Sequence, residues 1–155
     1  MQFSLALEAD VAPLSRLTLH SDLNELARVS AWAEELAAFH ALPAKTSYAV
    51  NLCLEEALSN VIRHGYRGEA GHSLSLAYAV QDGRLTLTIE DQAAAFNPLE
   101  LPEPAAAPML EDLIPGGQGI HLIRRFASHV MWEPLSPGNR LKIVFDLPNQ
   151  DSRTK

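Results

Sequence analysis

The sequence contains a single cysteine, Cys53, and no long run of apolar residues. One cysteine excludes an internal disulfide and a metal cluster built from cysteine ligands, and it is typical of a chain kept in a reducing compartment. Nowhere do about 18 apolar residues follow one another, so we expect no membrane-spanning helix. The start of the chain shows no basic stretch ahead of an apolar run, which argues against a secretory signal. These absences predict a soluble, cytoplasmic protein.

Basic residues are also scarce. The 155 residues include 12 Lys and Arg against 19 Asp and Glu, which gives a net charge of −7. A nucleic-acid interface needs clustered Lys and Arg to displace counterions, so direct binding to nucleic acid is not expected. The length and the hydrophobic fraction of 47% suit one domain with its own core. We predict a single domain over residues 1–148, followed by a polar tail over residues 149–155.

The first part of the chain predicts strand and then helix. Apolar and polar side chains alternate over the first twenty residues, which indicates one or two short strands around Pro13. A helix is then expected to begin at an N-cap at Ser21 or Asp22 and to reach about Leu42. Pro43 is expected to end it.

A second helix is predicted from about Lys45 to about His64, with Gly65 as a left-handed C-cap. It is apolar nearly all round, which is typical of a buried helix. Glu56, Asn60 and His64 recur every four residues, so they form one polar stripe. The stripe is either a solvated or internally satisfied structural feature, or a magnesium–phosphate site. In the second case Asn60 supplies an oxygen ligand and Glu56 lies near an attacking hydroxyl or water, since Mg²⁺ needs few protein ligands.

The pattern then changes to a period of two. Residues 74–80 and 85–89 alternate in hydrophobicity on either side of Asp82 and Gly83, which predicts a hairpin with a tight turn. The alternation stops in residues 92–115, which contain many alanines and prolines. So long an irregular stretch in a compact domain is typical of a functional lid or of a partly disordered loop.

The chain is predicted to close with a helix and two strands. The helix starts in residues 116–119 and runs to about Ser128, and the strands over residues 129–133 and 141–147 flank a turn at 137–139. Helices grouped early, with strands grouped around them, indicate an α+β fold. We expect one mixed, mostly antiparallel sheet with helices on a single face.

Two further features could contact a ligand. Asp91 ends the second strand of the hairpin, where it either terminates the strand or acts as an acceptor for an exocyclic amine. Gly116, Gly117 and Gly119 precede a helix, where glycines let backbone N–H groups approach a phosphate. A flexible hinge would explain the same glycines. The segment matches neither the dinucleotide-binding fingerprint nor the phosphate loop that ends in Gly-Lys-Ser/Thr.

The order of these motifs resembles the Bergerat nucleotide fold of histidine kinases, gyrases and Hsp90. More closely, residues 15–147 are similar to the anti-sigma-factor serine kinases of bacterial partner-switching systems, typified by RsbW and SpoIIAB. Four segments carry this likeness: Glu56-Ala57-Leu58-Ser59-Asn60-Val61-Ile62-Arg63-His64-Gly65-Tyr66; residues 91–98, with Phe96, Asn97 and Pro98 in register; Gly116-Gly117-Gln118-Gly119-Ile120-His121-Leu122-Ile123; and Asn24-Glu25-Leu26-Ala27-Arg28-Val29.

The resemblance implies a two-layer α/β sandwich that binds ATP with Mg²⁺. It implies that Glu56 is the general base or positions the hydroxyl, Asn60 is the magnesium ligand, and Asp91 anchors adenine. Residues 92–115 are implied to form the lid, and Gly117 and Gly119 to cradle phosphates. The ATP-binding positions implied by the resemblance are Asn60, His64, Asp91, Ala93, Phe96, Gly116, Gly117, Gln118, Gly119 and Ile120.

The resemblance also implies protein partners. It predicts a homodimeric anti-sigma factor and serine/threonine kinase that holds a sigma factor or similar regulator and phosphorylates a STAS-type anti-anti-sigma factor on serine. Arg28 and Asn24 lie in the segment implied to contact these partners. One alternative is a binding module of the same fold that sequesters its partner without phosphorylation. The other is an isolated ATP-binding domain of the histidine-kinase type, which the His-Gly-Tyr ending of the second helix disfavours.

Ala93 is the main departure from the family pattern, because the family has a glycine at this place. If the backbone there requires a positive φ, alanine costs about 1 kcal/mol and nucleotide binding is weakened. If φ is negative, the substitution is nearly free. Asn97 replaces a common Asp, with little expected effect.

Overall fold

The computed structural model describes residues 12–100 and 119–148. Within these ranges the chain forms three α-helices and five β-strands, joined by turns and short 3₁₀ and π-helical segments. The helices are α1 (Leu26–Phe39), α2 (Ala44–Asn60) and α3 (Gly119–Phe126). The strands are β1 (Ser15–His20), β2 (Ser73–Gln81), β3 (Arg84–Asp91), β4 (His129–Leu135) and β5 (Gly138–Asp146). None of the helices in these two ranges has the length and apolar character that crossing a bilayer requires.

The five strands form one sheet in the order β1-β2-β3-β5-β4. All four neighbouring pairs are antiparallel, so the sheet is not mixed in the described part of the chain. β3 is the central strand, and its last residue, Asp91, pairs with Leu74 on β2 and with Asn139 on β5. The predicted α+β class is confirmed.

The helices and one face of the sheet share a single core. Along β3, Leu85, Leu87 and Ile89 are at most 1% exposed, whereas the residues between them are only half-buried. Val50 and Leu54 of α2 belong to the same cluster of buried side chains. Fully burying each such side chain contributes about 1.5–3 kcal/mol. Only one side of α2 is buried, along residues 49–58, so the helix is less apolar and less buried than predicted. Because that side is held in the core, Glu56 and Asn60 are kept in fixed positions.

The first helix begins as predicted but ends earlier. The Asp22 side chain accepts a backbone N–H in the first turn at 2.9 Å, which caps the 3₁₀ turn Leu23–Glu25 that leads into α1. The helix ends at Phe39 rather than near residue 42, because Ala41 has a left-handed backbone with a φ of 49°. Pro43 therefore does not end α1 but directly precedes α2.

The second helix ends differently from the prediction. α2 stops at Asn60 and continues as a π-helical segment, Val61–Gly65, and such segments are frequent at functional sites. Gly65 is not a left-handed cap, since the backbone after the helix first becomes left-handed at Arg67, with a φ of 54°. Packing explains this glycine instead, because a Cβ at position 65 would lie 3.1 Å from the Cβ of Ala93.

The hairpin between β2 and β3 has the predicted turn. Asp82 and Gly83 have φ values of 53° and 75°, the left-handed pair used by two-residue Asp-Gly turns. Gln81 and Arg84 pair on either side of the turn and close it. The Asp-Gly pair in the sequence is therefore sufficient to predict this turn.

The turn between β4 and β5 lies at residues 136–137 rather than at 137–139. Gly138 and Asn139 are instead the first two residues of β5. Gly138 has a φ of 117°, and a Cβ there would lie 1.8 Å from the carbonyl oxygen of Asp91. Only a glycine therefore lets the start of β5 approach the end of β3 this closely.

Candidate functional site

The C-terminal half of α2 meets the first residue of α3. A Cβ on Gly119 would lie 2.8 Å from the Nδ2 of Asn60 and 2.9 Å from the Oε2 of Glu56, distances that real Cβ atoms essentially never show. Glycine at position 119 therefore lets the backbone of α3 rest directly against both side chains. The structure thus brings the Glu-x-x-x-Asn motif together with Gly119, although the two are far apart in the sequence.

Asn60 carries an unpaired acceptor. Its Oδ1 is buried and accepts no hydrogen bond from the residues that the structure describes. Leaving such an atom unpaired costs about 1–3 kcal/mol, so Oδ1 is suited to a partner other than the residues that the structure describes. Mg²⁺ prefers oxygen ligands and needs few from the protein when phosphates and waters complete its shell. Asn60 therefore fits the predicted magnesium role better than it fits a satisfied structural network.

Glu56 lies half-buried beside Asn60. Burial raises the pKa of its carboxyl, and the charge of Glu55 raises it further against the opposing effect of Arg63. A carboxylate with a raised pKa is a stronger proton acceptor. Burial and the nearby Glu56 also raise the pKa of the Cys53 thiol to about 12. The cysteine therefore stays protonated at neutral pH, and a buried thiol of this kind is a poor nucleophile.

Asp91 is a buried carboxylate at the end of the central strand, 6% exposed. Its Oδ1 accepts the backbone N–H of Ala93 and the Nδ2 of Asn139, each at 2.9 Å. Burial raises the pKa of this carboxyl, and the two hydrogen bonds act in the opposite direction. Asp91 is thus fixed in orientation, and an ionised carboxylate in that position can only accept hydrogen bonds.

Ala93 packs in the core beside Gly65. The non-glycine residues with a positive φ in the described part of the chain are Ala41, Arg67 and Asp82, so the backbone of Ala93 lies in a region that alanine readily adopts. The second of the two cases considered for this position therefore applies. Alanine in place of the family's glycine costs little backbone energy.

Tyr66, the last residue of the His-Gly-Tyr motif, fastens the loop that follows β3. Its hydroxyl donates to the carbonyl of Ser73 at 2.9 Å and accepts the backbone N–H of Gln92 at 2.7 Å. Its ring stacks on that of His72, with centroids 4.4 Å apart. The motifs predicted no role for Tyr66, but in the structure its hydroxyl fixes the backbone of Gln92, the residue next to Asp91.

Asn139 is a site residue that the sequence did not predict. It was predicted to lie in a turn, but it is a buried strand residue, 8% exposed. Its side chain forms hydrogen bonds with Asp91 and with the backbone of the loop that follows β3. A Gly-Asn pair after a proline is an ordinary turn signal. Only the register of β5 against β3 reveals where this amide lies.

The remaining predicted nucleotide residues are placed as follows. Phe96 has an exposed side chain and Ile120 is buried. His64 is exposed, and the π-helical segment interrupts the four-residue period on which its place in the stripe was predicted. The predicted positions outside the described residues are Gly116, Gly117, Gln118 and residues 101–115 of the lid.

The predicted partner segment is accessible. Asn24 and Arg28 are both exposed. The Arg28 guanidinium pairs with the Glu25 carboxylate at 2.8 Å, and that carboxylate also accepts the backbone N–H of His20 at 3.2 Å. The arginine is therefore partly ordered while its charge remains in contact with solvent, and its role with partners stays a prediction.

Fold and site together define a class of protein. A single antiparallel sheet with helices on one face, and a core-facing helix whose Glu–Asn pair meets a glycine-initiated helix, define a Bergerat-type nucleotide-binding domain. The chain belongs to the histidine kinase-like ATPase domain family, whose sequence profile matches residues 19–145. The family predicted from the order of the motifs is confirmed.

One protein kinase and two solved structures illustrate the similarity. The chain is 29% identical over 115 residues to the serine/threonine-protein kinase BtrW of Bordetella bronchiseptica, which covers 73% of this chain and 80% of that protein. The structure of the RsbU and RsbW domains of Rv1364c from Mycobacterium tuberculosis matches with a TM-score of 0.61 at 16% identity, over 88% of this chain. The histidine kinase domain of the blue-light activated histidine kinase of Erythrobacter litoralis EL346 matches with a TM-score of 0.51 at 17% identity, over 84% of this chain. The chain spans 33% and 63% of the lengths of these two structures, and shares their fold.

Proposed function

We propose that the protein is an ATP-dependent serine kinase that also acts as an anti-sigma factor in a partner-switching system. The observation that carries the nucleotide site is the unpaired Oδ1 of Asn60, held against Glu56 and Gly119. Membership in an ATPase domain family supports ATP as the ligand. Similarity to a protein named as a serine/threonine kinase supports phosphoryl transfer as the reaction.

The nucleotide would be held by three groups of this chain. Asn60 would ligate Mg²⁺ through Oδ1, and Asp91 would accept a hydrogen bond from the amino group of adenine. Gly119, with Gly116 and Gly117 ahead of it, would offer backbone N–H groups to the phosphates at the start of α3. Bound magnesium would neutralise part of the phosphate charge.

Glu56 would serve the transfer step. Its carboxylate would orient the hydroxyl of the substrate serine and accept its proton while the serine oxygen bonds to the γ-phosphorus. The bond from that phosphorus to the bridging oxygen breaks, and ADP leaves. Phosphoryl transfer depends mainly on positioning and charge neutralisation, so this small set of residues suffices.

The protein partners follow from the resemblance described above. The substrate would be a STAS-type anti-anti-sigma factor, and the sequestered partner a sigma factor or similar regulator. The exposed Asn24 and Arg28 would contribute to the contact surface, and the active form would be a homodimer in the cytoplasm. The binding module without kinase activity was suggested by Ala93, whose backbone conformation now gives no reason for a vestigial site.

A pull-down from the source cells with and without ATP, followed by phosphosite mapping, tests this function. We expect a small protein to be recovered and to gain phosphoserine when it is incubated with the wild-type chain and Mg·ATP. Glu56→Gln should bind the same protein without phosphorylating it, and Glu55→Gln should phosphorylate it as the wild type does. Recovery of a partner that is never phosphorylated, despite ATP binding, would support the sequestering module instead.

A further inference from the structure

Asn139 is a buried amide with every hydrogen-bonding position in use. Its Oδ1 accepts the backbone N–H of Phe96 at 2.9 Å and the indole N–H of Trp132 at 3.0 Å. Its Nδ2 donates to the Oδ1 of Asp91 at 2.9 Å and to the carbonyl of Ala94 at 3.1 Å. An asparagine side chain offers two donor hydrogens and two acceptor lone pairs, so the group is fully satisfied.

These partners fix which way the amide points. The indole of Trp132 and the backbone N–H of Phe96 can only donate, so they must face the amide oxygen. The Ala94 carbonyl can only accept, so it must face the amide nitrogen. The reversed amide would break all of these contacts at once, and the donated bond to Asp91 with them.

The backbone of β5 is built to bring this amide to Asp91. Asn139 pairs directly with Asp91 across the two central strands. At the preceding residue, Gly138, a Cβ would lie 1.8 Å from the carbonyl oxygen of Asp91 and 3.0 Å from the Cα of Gln92. The close approach of the two strands therefore depends on a glycine immediately before the asparagine.

The bond from Asn139 leaves one oxygen of Asp91 for a ligand. Oδ1 takes both the Asn139 amide and the Ala93 N–H, and none of the hydrogen bonds within the described part of the chain reaches Oδ2. Burial raises the pKa of this carboxyl, and the Asn139 bond favours the ionised form against that effect. An ionised Oδ2 is an acceptor only.

We propose that Asn139 is a positioning residue for the base-binding end of the nucleotide site, and that it sets selectivity for adenine through Asp91. The inference rests on the proposed ATP binding. Adenine carries an amino donor where guanine carries a carbonyl acceptor. A fixed oxygen that only accepts therefore binds the adenine amino group and repels the guanine carbonyl. Asn139 holds the carboxylate and also anchors the loop that follows it at Ala94 and Phe96.

Asn139→Asp is the sharpest variant, because it is nearly isosteric. It keeps an acceptor for Trp132 and Phe96, removes the donated bond to Ala94, and puts a second carboxylate against Asp91, so that the two carboxyl groups share a proton and Asp91 is no longer a fixed, fully ionised acceptor. We expect isothermal titration with the magnesium complexes of ATP and GTP to show at least a tenfold loss of ATP affinity. GTP affinity should change less than threefold, so the ATP-to-GTP preference should fall by several-fold or more. Asn51→Asp is the matched control, since this half-buried amide bonds to Ser30 between α1 and α2.

A double-mutant cycle tests whether Asn139 acts through Asp91. If it does, Asn139→Asp combined with Asp91→Asn should lose no more ATP affinity than Asp91→Asn alone, because the shared interaction is already gone. Fully additive losses would contradict the proposal. Circular dichroism of each variant shows whether the fold is kept.

The outcomes separate this inference from the proposed function. The role of Asn139 alone would be overturned if the wild type binds ATP but Asn139→Asp loses ATP and GTP affinity equally, or keeps the wild-type preference for ATP over GTP. If Asn139→Asp does not fold, Asn139→Ala carries the same comparison, and failure of both to fold would show a structural residue only and overturn the inference. A wild type that binds neither nucleotide would overturn the proposed function and this inference with it.

Discussion

The position of the Glu56 carboxylate suits a proton acceptor but lowers the stability of the fold at neutral pH. Burial raises its pKa, so the folded chain binds this proton more tightly than the unfolded chain does. Such a group contributes stability that is fully present below the unfolded pKa and is lost as the pH rises through the folded pKa. At neutral pH the ionised carboxylate therefore lowers the stability of the fold, while it is ready to accept a proton.

Glu56→Gln should separate these two effects. The amide keeps the shape and removes the charge, so we expect a higher Tm than the wild type at pH 7.5 and a difference that disappears toward pH 4. Phosphorylation of the partner should fall at least a hundredfold, since a general base is worth about 10² to 10⁴ in rate. Calorimetric melting across pH and a phosphotransfer assay measure the two effects.

Glu55→Gln is the control for both measurements. Glu55 is exposed and lies about 100° round the helix from Glu56. Glu55→Gln removes only the smaller of the two effects that raise the Glu56 pKa, so it should change the transfer rate far less than Glu56→Gln does. A wild-type transfer rate in Glu56→Gln would show that the catalytic role is misassigned. A lowered Tm at pH 7.5 would show that Glu56 is a structural partner.

Ala93→Gly introduces the residue that the resemblance implies at this position and should bring no gain in binding. The backbone of Ala93 already has a conformation that alanine adopts, and its methyl group packs beside Gly65. Loss of a buried methyl and the added freedom of glycine should destabilise the fold by about 1–2 kcal/mol in chemical denaturation. Ala95→Gly, at an exposed position, should cost less. A tenfold gain in ATP affinity for Ala93→Gly would contradict this account of the position.

At the scale of elements, the contact between β3 and β5 depends on one glycine. Gly138→Ala puts a Cβ onto the Asp91 carbonyl and strains a φ of 117°, so we expect more than about 3 kcal/mol of destabilisation. Gly83→Ala is the matched control, because φ is 75° and nothing lies within 4 Å of its added Cβ. That variant should lose only about 1 kcal/mol. Similar unfolding free energies for the two variants in urea would refute the close approach.

The elements that the sequence predicted well depend on local signals. The Asp82-Gly83 turn follows from two residues that accept a left-handed backbone, and the apolar face of α2 follows from its period. The errors arose where a distant contact decides. Gly65 is a glycine because of Ala93, and Gly138 because of Asp91. Neither Ala93 nor Asp91 lies in the stretch of sequence around the glycine that it contacts.

The candidate site was predictable in part for the same reason. Glu56 and Asn60 stand out as polar residues on an apolar helix, and their order relative to Asp91 and Gly119 indicated a nucleotide site. Asn139 could not be found in that way, because it was predicted to lie in a turn and its meaning comes from its register across the sheet. Its bonds to Asp91 and Phe96 exist only in the folded chain.

At the scale of the whole molecule, the site is assembled from four segments that the core holds in place. α2 lies against the sheet and presents Glu56 and Asn60, and α3 rests on them at Gly119. The ends of the central strands contribute Asp91 and Asn139. Each group therefore depends on the same packed core.

Titration calorimetry tests whether Asn60 completes a Mg·ATP site. The wild type should bind ATP in the presence of Mg²⁺ and weaken when the cation is chelated. Asn60→Ala should lose affinity by tenfold or more, about 1.4 kcal/mol, without losing its fold, since its Oδ1 makes no hydrogen bond within the described residues. Asn51→Ala should bind ATP as the wild type does. No binding by the wild type at millimolar ATP, or unchanged affinity in Asn60→Ala, would contradict the account.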